Sequence, residues 1–136
     1  MTQCFELSIN TKGRKAVEIT QVINKELLQL DDNYLVAHVF VKHTSASLII
    51  TGNEDPNLLV DIENYLQKNI IDADSNYKHN NEGDFDTSGH IRTILTGESK
   101  TIPIANKELN LGKYQGLFLY EHRAGENSRN VVVTVL

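Results

Sequence analysis

Tyr34-Leu35-Val36-Ala37-His38-Val39-Phe40-Val41-Lys42 is the stretch whose reading decides the fold of this chain. Its odd-numbered positions, Leu35, Ala37, Val39 and Val41, form one apolar face. A two-residue period of that kind marks a strand with one side on a core. His43 falls on the apolar parity at the strand end. His38 lies mid-strand on the other face and is read as structural.

Outward from that strand the pattern stays mixed. Upstream, Phe5, Leu7 and Ile9 alternate with polar neighbours, a half-buried strand that Lys12-Gly13 turns. Val22, Ile23, Leu27 and Leu30 recur at helical spacing, with Thr20 as the N-cap and Asp31-Asp32-Asn33 as the closing turn. Downstream, Ser47-Leu48-Ile49-Ile50-Thr51 is a second β run. Asp55-Pro56 starts a helix, Asp capping free amides and Pro at the first helical position; Leu59, Ile62, Leu66 and Ile70 are its buried stripe. Residues 72–87 form a long polar connection, and loops of that length are more often functional or disordered than structural. Ser88 caps a short helix through Leu95 that Gly97 ends. Strands at 99–104, 113–121 and 130–136 complete an α+β arrangement, with mostly antiparallel β-sheets and two main helices in a single compact domain over residues 1–136.

The totals bound the function. A chain of 136 residues is one domain with room for a real core. Its formal net charge of -5, from 13 basic and 18 acidic residues, argues against a general nucleic-acid binder, which would carry a basic face. The single cysteine, Cys4, allows no intrachain disulfide, as suits a reducing cytosol; it reads as a packed small hydrophobe. Met1-Thr2-Gln3-Cys4-Phe5-Glu6 has neither a basic nor an apolar signal region, and no apolar run reaches the ~20 residues of a membrane helix. No membrane partner is expected.

Two polar clusters carry the chemistry. His79-Asn80-Asn81-Glu82-Gly83-Asp84-Phe85-Asp86-Thr87-Ser88-Gly89-His90 sets two imidazoles and three carboxylates on a segment with almost nothing to bury. Neutral histidine with carboxylate is a ligand set for divalent metals. Asp86 and His90 stand four apart, so a helical turn would put both on one side. The competing reading is a solvated loop, and no zinc-finger or His-Glu-x-x-His spacing is present. His43 is either a strand-end histidine bonded to backbone or part of a site; Thr44-Ser45-Ala46 after it suits close approach by an anion. Asn53-Glu54-Asp55-Pro56 supplies further polar groups. Arg129 can bind phosphate bidentately, or is a solvated surface arginine. Gly112 to Gly116 lacks a P-loop arrangement and is given no nucleotide role.

In order along the chain stand His43-Thr44-Ser45-Ala46, Asn53-Glu54-Asp55-Pro56, Tyr77-Lys78-His79-Asn80, Asp86 to His90, Leu95-Thr96-Gly97 with Thr101-Ile102-Pro103, Leu111 to Gly116, and Glu121. This ordered set resembles the YjbQ-like family of secondary thiamine-phosphate synthases over nearly the whole length. The resemblance implies a small α+β domain, a homotrimer and a weak thiamine-phosphate synthase activity, and the expected compartment remains the cytoplasm. It also implies a histidine-rich pocket for a metal or an anion. By position, His43 and Glu121 are expected to be catalytic, and His79, Asp86 and His90 to hold a divalent metal (magnesium or zinc). Thr44, Ser45 and Arg129 are expected to contact phosphate, with Asn53 and Asp55 nearby and Arg129 at the rim. The expected partner is a small phosphorylated substrate. A metal-dependent hydrolase and a non-catalytic trimeric metal- or ligand-binding protein are the alternatives.

Overall fold

Alternation of apolar and polar residues builds two antiparallel sheets, and their shared interior is the core. In the computed structural model, which describes residues 2–136, the elements run in the following order: β1 (Gln3–Lys12), β2 (Ala16–Glu18), α1 (Thr20–Leu27), β3 (Val36–Val41), β4 (Ala46–Gly52), α2 (Pro56–Asn69), α3 (Asp86–Thr96), β5 (Ser99–Ala105), β6 (Glu108–Leu109), β7 (Gln115–Glu121) and β8 (Glu126–Val135). The larger sheet has the order β1-β8-β3-β5-β6 and the smaller β2-β7-β4. All the pairings are antiparallel. The fold is α+β, with three helices.

β3 sits at the centre of the larger sheet, between β8 and β5. Ala37, Val39 and Val41 are buried there, as the parity predicts, and meet Leu48, Leu117 and Leu119 from the smaller sheet. Leu35 is the exception. It precedes the strand, is 74% exposed, and uses its backbone N–H to bond Leu136 O at 2.7 Å.

The helices divide between two places. α1 sends Ile23 and Leu27 into the core between the sheets. Thr20 is not its N-cap: that position is Ile19, with no side-chain cap. The Thr20 hydroxyl instead accepts from Leu117 N and donates to Glu18 Oε2, both at 2.9 Å, which fastens the helix start to β7 and β2. α2 and α3 cover the outer face of the smaller sheet, where Leu66 and Ile70 pack with Tyr120, Ile49 and Ile91. Asp55 caps α2 as expected, accepting from Asn57 N at 3.0 Å.

At one end of the sandwich the inward parity continues into polar residues. Thr11 and Glu121 follow Ile9 and Leu119 on their strands, Arg129 precedes Val131 on its own, and all three are buried. Glu121 Oε1 accepts from Thr11 Oγ1 at 2.6 Å and Arg129 Nε at 2.8 Å, while Oε2 accepts from Arg129 Nη2 at 2.9 Å. This bidentate pair joins β7 of one sheet to β8 of the other. Removing one partner of a buried ion pair strands the other charge and costs roughly 3–5 kcal/mol. Arg129→Met is therefore expected to lose about that much in urea unfolding, and pairing it with Glu121→Leu to recover most of it. A single variant as stable as wild type would show that the pair holds nothing together.

Candidate functional site

The site grows from the first turn of α3. The polar connection before it is ordered by its own contacts: Ala73 N bonds Asp84 O at 3.0 Å, Tyr77 donates its hydroxyl to Ile71 O at 2.6 Å, and Thr87 holds the His79 carbonyl. The helix begins at Asp86 with Phe85 at the N-cap position, three residues earlier than expected, and Ser88 is not its cap. Ser88 is buried; its hydroxyl donates to Asp72 and accepts from Arg14 Nη2 at 3.1 Å. Arg14 also bonds Asp72 Oδ2 at 2.8 Å and His122 O at 2.9 Å, and lies 4.2 Å over the Phe85 ring. One guanidinium thus ties the β1–β2 turn, the polar connection, α3 and the end of β7 together. Gly97 ends the helix with φ +98°, a conformation that favours glycine.

Asp86 is the centre, with only 3% of its surface exposed. Its Oδ2 lies 2.6 Å from His79 Nε2 and 3.2 Å from His90 Nε2, and its Oδ1 accepts from Arg123 Nη2 at 2.8 Å. Burial pushes its carboxyl up, but the bonds from Arg123 and His79 outweigh burial and hold it below the usual range. Ligand atoms of His79, Asp86 and His90 all lie within 4.8 Å of one another.

Ring orientations are set from behind. His90 Nδ1 lies 3.0 Å from Thr44 O and 3.1 Å from Ser45 Oγ. A carbonyl only accepts, so Nδ1 carries the proton in the neutral ring. The bare Nε2 then faces a carboxylate oxygen, and two acceptors at 3.2 Å need a proton or a metal ion between them. A histidine fixed through its other nitrogen by a carbonyl is the usual support of a metal ligand, so these residues fit a divalent cation. His43 has the opposite tautomer. Its Nδ1 accepts from Ser45 N at 2.9 Å, leaving Nε2–H free. Burial, then the Arg129 and Arg123 charges, push its pKa down and keep it neutral.

The structure brings His43, Thr44, Ser45, His79, Asp86 and His90 together. Arg129 is not at the rim but buried, its guanidinium held by Glu121, because it continues the inward parity of Val131. Glu121 is also fully buried; burial raises its carboxyl, and Arg129 and Thr11 more than reverse that. It reaches the site through Arg123, whose backbone N–H donates to Glu121 Oε2 at 3.0 Å. Asn53 and Asp55 are not nearby. They follow β4, whose seven residues begin at Ala46 beside the site and carry the chain about 20 Å away. Arg123 is the residue sequence reasoning passed over, although it stands two places after Glu121.

Behind the site, between the smaller sheet and its covering helices, lies a second polar layer. Arg92 is fully buried and bidentate to Glu63, at 2.7 and 2.9 Å, and Tyr120 donates to the same carboxylate at 2.6 Å. The His122 ring packs tilted by 38° against Tyr120, centroids 4.6 Å apart, and lies 2.9 Å from Ser47 Oγ through Nε2. Burial, with Arg92 and Arg14 adding, pushes the His122 pKa down to about 3.

Besides a small cavity beside His79, two larger ones open on the cluster. One, of about 340 Å³, is lined by residues 82–86 with Arg123 and Ala124. The other, of about 400 Å³, is lined by His43, Thr44, His90, Thr93, Ile94 and Glu98. Among the described residues no helix is long and apolar enough to cross a membrane.

Residues 5–136 match the model of the family described as UPF0047 protein YjbQ-like. The UPF0047 protein of a Synechocystis species is 46% identical over 97 residues, 71% of this chain and 66% of that one. The YjbQ protein of Escherichia coli is 32% identical over 130 residues, covering 95% of this chain and 94% of that one. A solved UPF0047-family protein of Clostridium acetobutylicum superposes with a TM-score of 0.87 at 32% identity, covering 97% and 99% of the two chains. A hypothetical protein of Thermus thermophilus gives 0.88 at 25% identity, with the same coverage.

The buried His122 makes the fold acid-sensitive. It takes no proton in the folded protein until about pH 3, whereas an unfolded chain takes one up below pH 6.5. Its stabilising contribution is complete above pH 6.5 and lost on acidification toward pH 3, at about 1.4 kcal/mol per pH unit, or roughly 2 kcal/mol by pH 5. Urea midpoints measured from pH 7 to 5 should fall, and His122→Gln should flatten that fall by about one proton. An unchanged slope in the variant would reject the account.

Proposed function

The chain belongs to the YjbQ-like UPF0047 family, and from that premise we propose that it is an enzyme of small phosphorylated substrates with a secondary thiamine-phosphate synthase activity. The reaction joins hydroxymethylpyrimidine pyrophosphate to thiazole phosphate. The thiazole nitrogen forms a bond to the pyrimidine methylene carbon, and the carbon–oxygen bond to pyrophosphate breaks with its electron pair leaving on oxygen. The observation that carries this reading is the Asp86 carboxylate, shared by His79 and His90 on one oxygen and held by Arg123 on the other, beside open cavities. Such a reaction needs stabilisation of a departing polyanion.

His79, Asp86 and His90 would hold a divalent ion, magnesium or zinc, and its charge would offset that developing on the leaving group. The chain's own groups do the rest. Arg123 and the Thr44 hydroxyl donate to phosphate oxygens, and neutral His43 donates its Nε2–H to the leaving oxygen. Ser45 fixes both His43 and His90. Glu121 and Arg129 act from behind by setting the backbone of Arg123. The working form in this reading is a cytoplasmic homotrimer, with no nucleic-acid or membrane partner; exposed Leu95 and Tyr65 offer apolar surface for contact between copies.

A metal-dependent hydrolase of another small substrate is the second reading, favoured by His43: a neutral imidazole beside a cation site can donate a hydrogen bond from its free Nε2–H to the leaving oxygen of an ester. A screen of phosphate esters with zinc or manganese separates the two. Stoichiometric metal without any turnover would favour a binding protein instead.

Equilibrium dialysis against zinc or magnesium is expected to give about one ion per chain, and Asp86→Asn to weaken binding on the order of 10- to 100-fold. Equal occupancy in both proteins would remove the metal assignment. With both precursors and magnesium, wild type is expected to form thiamine phosphate at a rate that His79→Ala lowers by a similar factor. Equal rates would remove His79 from the reaction.

A further inference from the structure

The larger sheet ends on a strand with a neighbour on one side only. β1 lies at the edge of that sheet and pairs with β8 over all 10 of its residues, with no bulge and no proline. The direction of its backbone groups follows from the strands beyond. Lys42 N donates to Asn130 O at 2.9 Å and Leu136 N to Val36 O at 3.0 Å, so the even-numbered residues of β8 bond toward β3. Its odd-numbered residues bond toward β1, where Val131 faces Leu7 and Arg129 faces Ile9. The N–H and C=O groups of Cys4, Glu6, Ser8, Asn10 and Lys12 therefore point outward, without a backbone partner among the described residues.

The other edges are short or already met. β6 has 2 residues and β2 has 3, while β4 meets the end of α3, Leu48 N donating to Gly97 O at 2.9 Å. An uncovered edge as long as β1 is a template for another strand, and its side chains select which one. Laid antiparallel to a second copy about a two-fold axis at Ile9, β1 sets Glu6 opposite Lys12 at both ends and Ser8 opposite Asn10 between them. All of these are outward-bonding positions, so each such pair can exchange two backbone bonds. Lys12 has no ion pair among the described residues, and Glu6 engages Lys42 Nζ at 3.1 Å through Oε1 alone. Slipping the register by two residues sets Lys12 opposite Cys4 or Ser8 and loses both charge pairs. On the inner face Leu7 comes opposite Thr11, which lines a cavity of about 780 Å³ with Lys12, Lys15 and Val17. Phe5 and Leu7, partly buried at the open edge, gain cover.

We propose that β1 is a docking strand for a second copy of this chain: two copies pair β1 to β1 in this register, and the larger sheet continues across the two-fold axis. The contact is separate from the apolar helix surface named above. Between single chains it gives a dimer, and between trimers it gives a hexamer.

Sedimentation equilibrium of the whole protein tests this, with wild type expected as a dimer or a hexamer. Lys12→Glu sets like charges opposite each other at both ends and should weaken the association about tenfold or more, halving the mass at low concentration. Adding Glu6→Lys to that variant should restore it. Ser8→Pro removes an outward N–H that β8 does not use and should also halve the mass, with the far-UV circular dichroism unchanged. A wild type that sediments as monomer or trimer at every concentration would overturn the proposal. So would a mass that Lys12→Glu leaves unmoved, or a loss that Glu6→Lys fails to restore. The charge exchange lies at exposed positions and decides alone should Ser8→Pro unfold.

Discussion

The buried carboxylate of Glu121 is the constraint on which the rest of the site depends. An ionised carboxyl taken fully out of water must be matched by hydrogen bonds, or it destabilises the fold by several kcal/mol. The chain meets that demand from three strand ends at once: Thr11, the Arg129 guanidinium, and the backbone N–H of Arg123. The third partner matters most for function. It fixes the chain as it leaves β7 and so places the Arg123 side chain on Asp86. The interior of the sandwich and the surface cluster are thereby coupled through a single residue.

A second clamp fixes the other half of the cluster. α3 contributes Asp86 and His90 from one face, and its first turn is held from below by Ser88, Asp72 and Arg14. The Asp72 carboxyl is pushed up by burial and pulled further down by Arg14 and Ser88, so it stays charged in that role. His79 arrives from the polar connection, whose order comes from short-range backbone and hydroxyl contacts and not from apolar burial. A site assembled this way is rigid in α3 and β7, and depends on local polar contacts at His79.

Much of this was legible in the residues, and the failures have physical causes. The odd parity of Ala37, Val39 and Val41 gave the central strand and the side on which His43 emerges. The four-residue spacing of Asp86 and His90 put them on one helical face. Arg129 lies outside a last strand read as 130–136, whereas the strand runs from Glu126; the parity of Val131, Val133 and Val135, extended back by one step, points Arg129 inward. Asn53 and Asp55 looked close because they follow the His43 cluster in sequence, but a straight strand separates them. Ser88 resembles a cap, and nothing local shows that Arg14, far upstream, will bury it. Contacts of that range, like Tyr120 and Arg92 meeting on Glu63, leave no periodic trace.

Charge around the two cavities explains why a polyanion would need help to bind. The cavity beside Arg123 is lined by the carboxylates of Glu82, Asp84 and Asp86 against one guanidinium, and that guanidinium already serves Asp86 and lies 3.9 Å from Glu82. Phosphate meets a net repulsive field there, in a chain whose formal charge is -5. A divalent ion among His79, Asp86 and His90 would change the local balance by two charges and relieve Arg123 of sole responsibility for Asp86. In a partly desolvated site the ion's own charge dominates the field. Cation binding and anion binding at this cluster are thus physically coupled: the same carboxylates that repel a phosphate are the ones that attract the ion able to hold it.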